Sequence, residues 1–294
     1  MKFANQLPNY PIRQLPDSVA ERRDQRSASV IGRRARLEIV FGCRRGRTVL
    51  THAYAEPPFR VGRSLDAGPY AYVVLVCSGP GIFGGDVLDQ RVLVERGARV
   101  LLVSQAALQV HPTAAVEEAI VQSRFQVESG GELDCFWDPV IPFAGARLSQ
   151  RIEIQGAADS RLFWSDALMA GRTGSGEAWR FDDLSHELRL TIDGRLNYLE
   201  RYRLTPRSRP VDRRWMAGGA HYAGTTLVHH EDATTSCAER LHVQLEAMDE
   251  VRAGVDCVAP NLLVGRLLAA RGPQFAAARA AFRTAFGRPI LRRI

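Results

Sequence analysis

Two strand-like runs, Tyr70 to Val76 and Val87 to Val94, are separated by Ser78-Gly79-Pro80-Gly81-Ile82-Phe83-Gly84-Gly85-Asp86. Four glycines and a proline in so short a stretch continue neither a helix nor a regular strand, so the chain must turn sharply there. The segment is no phosphate cradle. That motif needs Gly-Lys-Ser/Thr ahead of a helix, whereas Gly85 leads into an acid and an alternating strand pattern. Asp86 suits a cation or a partner. It equally suits a turn carboxylate that accepts from nearby backbone N–H groups.

The rest of the chain sets bounds. Its 294 residues can bury a full core, and no run approaches the ~18 apolar residues of a membrane span. No apolar signal core opens the sequence, which predicts a cytoplasmic protein without a membrane role. Five scattered cysteines without a CxxC pair read as reduced thiols rather than a structural zinc site. The net charge of +7 is unevenly spread. Residues 1–36 carry +5, residues 266–294 carry +7, and the body between them carries −5. A nucleic-acid binder places its basic stripe on the folded body, so a nucleic-acid partner is not expected.

Residues 1–34 lack periodicity and read as a disordered tail. From Ala35 to about residue 205 short alternating segments follow one another, with turn pairs at Gly97-Ala98, Gly130-Gly131, Gly145-Ala146 and Gly156-Ala157. Stacked solenoid coils produce such a train, and so does a sandwich. Asp193-Gly194 between two apolar alternations predicts a hairpin. Helices are expected only near the end. One spans Thr234 to Met248, with Leu241, Val243, Leu245 and Met248 as its apolar positions. The other opens at Pro273, runs over Gln274 to Phe286 and stops at Gly287 and Pro289. This arginine-rich end helix could cap an open sheet edge or dock an acidic partner.

The order of landmarks resembles the urease accessory protein family UreD, also called UreH. The matching pieces include Phe59-Arg60-Val61-Gly62-Arg63, Gly81-Ile82-Phe83-Gly84-Gly85-Asp86, Gln105-Ala106-Ala107 and Asp138-Pro139-Val140-Ile141-Pro142-Phe143. Trp164 with Asp166, Gly171-Arg172 with Gly176-Glu177, Leu199-Glu200-Arg201 and Val264-Gly265-Arg266-Leu267-Leu268 complete the set. The resemblance implies one domain over residues 35–294, β-rich over 35–230 and helix-containing over 231–294. Its body is mainly β, elongated and β-helix-like, of stacked strands, with a few helices in the C-terminal third. It implies a non-enzymatic chaperone that works with UreF and the GTPase UreG and delivers nickel to urease apoprotein, with Ni²⁺ bound only in transit and no permanent cofactor.

An ion in transit needs sites attractive enough to enter and weak enough to leave. Single carboxylates spaced along a wet interior meet both demands. By match to the family's motifs the candidates are Asp86, Asp166 and Glu200, with Cys77 where the family carries histidine. Gly84, Gly85, Arg172 and Glu177 take structural or partner roles. Asp166 lies in an apolar run and needs a partner, such as an ion pair with Arg172, or a wet cavity. Glu200 has Arg201 and Arg203 beside it, as on a solvated strand face. His229-His230-Glu231-Asp232 reads as a polar turn before a helix, and His52, His186, His221 and His242 as isolated. The alternative is a β-solenoid hydrolase using the paired carboxylates Asp166 and Glu200. It would want a cleft with stacking aromatics, and Trp137, Trp164, Trp179 and Trp215 show no clustering in sequence. Leu108-Gln109-Val110-His111-Pro112 replaces the family's usual Thr-Lys-Val-Tyr-Arg-Ser.

Overall fold

The computed structural model describes residues 32–112 and 117–287. Most of the expected N-terminal tail, residues 1–34, lies outside the described residues, as does Pro289. The tail's last residues are placed, because strand β1 (Arg34–Arg44) already begins inside the range. The chain turns back in β2 (Arg47–Ala55), then runs through two short strands, β3 (Phe59–Val61) and β4 (Leu65–Ala67). Coiling follows: β5 (Tyr70–Cys77) and β6 (Ile82–Phe83), then β7 (Val87–Val94), β8 (Arg99–Ser104) and β9 (Leu108–His111). The next coil is β10 (Ala119–Val127), β11 (Glu132–Phe136) and β12 (Val140–Pro142). Another is β13 (Arg147–Gly156), β14 (Arg161–Ser165) and β15 (Leu168–Met169). A hairpin of β16 (Asp183–Ile192) and β17 (Arg195–Leu204) ends the coiling, with Asp193 and Gly194 both at positive φ as its two-residue turn requires.

Equivalent strands of successive coils pair in parallel. β1, β7, β10, β13 and β16 form the middle of a seven-stranded sheet, with antiparallel β2 and β17 at its edges. β5, β8, β11 and β14 stack on a second face, and β6, β9, β12 and β15 on a third. The sandwich reading is thereby excluded, since it would need antiparallel sheets. β18 (Tyr222–His229) runs antiparallel to both β14 and β15 and joins the second and third faces.

The glycine-rich motif is a corner of this solenoid. Asp86 N–H donates to the Phe83 carbonyl at 3.0 Å, and Ala146 N–H repeats the bond to Phe143 at 2.9 Å. The third residue of each turn, Gly85 or Gly145, has a φ of 88° or 77°, which glycine adopts without steric cost. The opposite corner repeats as well, with Ala98 bonded to Glu95, Gly131 to Glu128 and Ser160 to Ala157.

Alternation then fixes the interior. Side chains on a strand point to opposite faces, so register places Leu88, Val121, Gln150, His186 and Tyr202 in one inward row. A second row reads Gln90, Ser123, Ile152, Leu188 and Glu200. Between these rows and the far faces lie Phe41, Phe125, Trp164 and Phe181, all buried.

A second core lies outside the solenoid. Helix α1 (Thr235–Glu246) is capped by Thr234, whose hydroxyl accepts from Cys237 N–H at 3.2 Å. It buries Cys237, Ala238, Leu241 and Leu245, while Val243 points outward instead of joining the stripe. The hairpin β19 (Val251–Ala259) and β20 (Leu262–Ala269) and helix α2 (Gly272–Ala285) complete this layer.

The end helix neither caps an edge nor presents its arginines to a partner. It lies on the outer face of β18 and β20, where two glycines make room for it. The Phe275 ring sits at Gly224 and the Phe282 ring at Gly265, each where a Cβ would otherwise stand. Its two central arginines are buried. Arg279 donates to the Ser165 and Trp137 carbonyls at 2.9 and 2.8 Å and lies over the Phe136 ring. Burial lowers its pKa to about 10. Arg283 forms an ion pair with Asp134 of β11 at 2.9 Å, with both side chains inaccessible. Burial outweighs that pairing and raises Asp134 to about 6. Breaking a buried pair strands its remaining charge at a cost of about 3–5 kcal/mol. Arg283→Met should lose stability on that scale in urea unfolding, and Asp134→Leu/Arg283→Met should recover at least half of it. Equal loss in single and double variants would show that the pair does not hold the helix.

Candidate functional site

The inward rows do not close into a solid core. A cavity of about 630 Å³ runs inside the solenoid, and every coil contributes to its lining. Cys77 comes from the first coil and Gln90 and Ser104 from the second. Ser123 and Trp137 follow from the third, and Gln150, Trp164 and Asp166 from the fourth. His186, Glu200 and Tyr202 line it from the hairpin, and Arg266 from β20. The lining alternates apolar walls with polar groups. Ser123 Oγ donates to Gln90 Oε1 at 3.3 Å, across neighbouring strands of the second inward row.

Asp166 and Glu200 come together here. Asp166 follows β14, where the chain crosses from the second face to the third. Its Oδ2 accepts from Trp164 Nε1 at 3.3 Å and its Oδ1 from Thr225 N–H at 3.2 Å. The Thr225 hydroxyl donates to Glu200 Oε2 at 2.9 Å, so one residue of β18 bonds to both carboxylates. Glu200 also accepts from the Tyr198 hydroxyl at 2.7 Å and lies 3.4 Å from the Arg266 guanidinium. Burial raises the pKa of Asp166; His186 opposes the shift and Glu200 adds to it. No arginine pairs with Asp166 among the described residues, because Arg172 is engaged elsewhere. His186 Nε2 lies 4.0 Å from Asp166 Oδ2. Glu200 is no solvated face residue. Its side chain is 10% accessible, while Arg201 and Arg203 point to the other side and pair with Glu187 and Asp183.

The structure places Asp86 apart from these two. Its carboxylate accepts from the Arg33 backbone N–H at 2.8 Å, from the Arg33 guanidinium at 3.1 Å and from Phe83 N–H at 3.0 Å. It closes its own turn and fastens the chain that leads into β1. It stands close enough to Cys77 for its charge to act on the thiol, which burial raises, Arg33 lowers and Asp86 raises further. Gly84 is buried in the same corner beside Gly85. Arg172 and Glu177 brace their own loop through a two-point ion pair, one bond being 2.9 Å from Nε to Oε2. Glu177 also accepts from Ala144 N–H at 3.3 Å, which ties that loop to the corner. His229 is buried at the end of β18, and Glu231 pairs with Arg161, as a polar turn before α1 requires.

Several cavity residues escaped the sequence reading. His186 is not isolated. It is buried, bonded through Nδ1 to Gln150 Oε1 at 3.1 Å and stacked on Tyr202 at 4.8 Å. Nor are three of the four tryptophans dispersed, although Trp215 stands apart and exposed. Trp137 and Trp164 meet at 5.8 Å, and with Trp179 they line the cavity, because coiling brings distant residues to adjacent rungs. The signal was present as single polar residues at inward positions of apolar alternations, namely Gln90, Ser123, Gln150 and His186. At the outer corner, His111 stacks on Phe83 at 4.7 Å and meets Phe143 at 4.6 Å, and Arg172 lies over Phe143. The departure at Leu108–Pro112 thus fills a rung of an aromatic column.

A parallel β-solenoid around a largely apolar cavity that bears two acids is a scaffold built around an interior space. Among the described residues no three His, Cys, Asp or Glu side chains gather as a chelating group, and no helix is long and apolar enough to cross a membrane. The profile of the UreD urease accessory protein family matches residues 33–293. The chain is 36% identical to the urease accessory protein UreD of Sorangium cellulosum over 69% of its length, spanning 64% of that protein. It is 33% identical to the UreD of Cupriavidus necator over 83% of its length and 85% of that relative's. This chain belongs to the UreD urease accessory protein family.

The raised pKa of Asp166 has a thermodynamic consequence. A carboxyl whose folded pKa lies above the ordinary 3.8 contributes stability below that value and loses it as pH rises through the folded pKa. Asp166→Asn should therefore hold or raise the melting temperature at pH 7, about 2–4 °C for each 1 kcal/mol gained. The gain should shrink as the pH falls toward 4 in a series of thermal scans. A lower melting temperature at every pH would show that Asp166 is a structural anion.

Proposed function

We propose that this protein is a non-catalytic accessory factor of urease maturation whose interior passes Ni²⁺ toward the apoprotein. UreF and the GTPase UreG are its expected partners in the cytoplasm. The observation that carries this reading is the pair of carboxylates, Asp166 and Glu200, which share Thr225 inside a cavity lined by every coil. Nickel is cargo here. Ni²⁺ takes carboxylate, imidazole and sulfur ligands, and the cavity lining offers the first two together in Asp166, Glu200 and His186 and a cysteine sulfur from the first coil in Cys77. Among the described residues no three of these side chains gather as a chelating group, so a hydrated ion is attracted without its shell being stripped completely, which lets it leave again.

Asp86 enters this reading as the brace of the corner beside Cys77, setting the local field rather than lining the route. The hydrolase alternative draws on the same two acids and on Trp137 and Trp164. It asks for a raised general acid, and burial raises Asp166. Hydrolysis of a panel of nitrophenyl glycosides by the purified chain would favour it.

The test is co-expression with UreF and UreG homologues and urease apoprotein. Asp166→Asn and Glu200→Gln should leave the complex intact on gel filtration and lower urease activation by on the order of tenfold or more. Asp86→Ala should act on stability instead, lowering the yield of soluble chain while the assembled fraction still activates. Full activation by an intact Asp166→Asn/Glu200→Gln complex would contradict the passage.

A further inference from the structure

The carboxylates alone leave a problem of selectivity. Oxygen donors suit Mg²⁺ and Ca²⁺ as well as first-row ions, and the former pair is abundant in cells. An imidazole nitrogen changes the preference, because divalent first-row affinities at N/O sites rise from Mn²⁺ to Cu²⁺ while hard ions gain little from nitrogen. One histidine faces the cavity, and its surroundings fix its orientation.

His186 lies on β16 in the inward row between Gln150 and Tyr202. Nδ1 lies 3.1 Å from Gln150 Oε1, and in the neutral tautomer that donates across this contact Nε2 keeps its lone pair. Stacking on Tyr202 at 4.8 Å holds the ring plane. Nε2 is then presented to Asp166 Oδ2 at 4.0 Å. In that tautomer both atoms bear lone pairs and do not bond each other. The gap suits an ion, since first-row divalent cations take histidine nitrogen and carboxylate oxygen at about 2.0–2.2 Å each. An amide that fixes the far nitrogen of an imidazole is also the arrangement that orients metal-binding histidines.

We propose that His186 is the specificity-determining residue of the passage. With Asp166 it forms a two-ligand nitrogen–oxygen station that retains Ni²⁺ and related first-row ions and holds Mg²⁺ and Ca²⁺ far more weakly, through the carboxylate alone. Water completes the shell, so the ion is detained without being trapped. This inference rests on the passage reading and adds to it the group that tells the cargo from competing cations.

The test uses the purified full-length chain and the metal ions alone, without urease. Equilibrium dialysis gives the preference for Ni²⁺ over Mg²⁺ for the native chain, His186→Gln and Asp166→Asn. His186→Gln should reduce that preference on the order of tenfold or more, while Asp166→Asn weakens binding of both ions. A second measurement needs no variant. Substoichiometric Ni²⁺ should broaden the His186 ring signals of the native chain before those of other histidines, and Mg²⁺ should leave them unchanged. An unchanged preference in His186→Gln, or ring signals of His186 unaffected by Ni²⁺, overturns the proposal. If Asp166→Asn still impairs urease activation in that case, the passage stands and only the station falls. If no variant alters either binding or activation, the passage falls with it.

Discussion

Parallel stacking of coils is the constraint on which everything else depends. In a β-solenoid the hydrogen bonds run between coils, so each inward side chain sits directly over its equivalent in the next coil. A polar residue at an inward position is therefore not diluted in an apolar core. It joins a column. Gln90 meets Ser123 in one row, and Gln150 meets His186 and then Tyr202 in the other. Burying such groups singly costs free energy unless each finds a partner. Columns supply partners from neighbouring rungs and leave the remaining capacity facing a shared space.

Glu200, which ends one column, and Asp166, which faces it from beyond β14, obey the same logic. Asp166 and Glu200 are held by Trp164, Tyr198, Thr225 and Arg266, which provide N–H and O–H donors and one cation. A carboxylate satisfied in this way can stay in an enclosed site without closing around an ion. The outer layer of helices has a different task. Arg279 and Arg283 turn inward and fasten α2 to the solenoid wall at Ser165 and Asp134, behind the strand that carries Trp164. Gly224 and Gly265 let the Phe275 and Phe282 rings seat closely. The wall of the cavity is thereby supported from behind.

Much of this was legible in the sequence, and what was not has physical reasons. Alternation from Ala35 onward and the turn pairs at Gly97 and Gly130 announced a train of short strands without deciding between solenoid and sandwich, and Asp193-Gly194 announced the hairpin. The coil repeat was hidden because corners vary in length. Val87, Ile120, Ser149 and Ser185 stand side by side at unequal spacings. Without that register, His186 looked solitary and the tryptophans scattered. Asp86 stood out because glycines framed it, yet those glycines serve the corner it closes. The arginines of α2 suggested a basic surface, since helical periodicity alone does not say whether a guanidinium has a buried carboxylate across from it.

The central claim is that a divalent ion occupies the solenoid interior beside the Asp166 and Glu200 carboxylates. Anomalous diffraction at the nickel absorption edge, from crystals of the full chain soaked in Ni²⁺, measures this directly. The account predicts a peak inside the cavity within coordinating distance of Asp166. Peaks confined to the outer surface, with the cavity clear of metal, would contradict it.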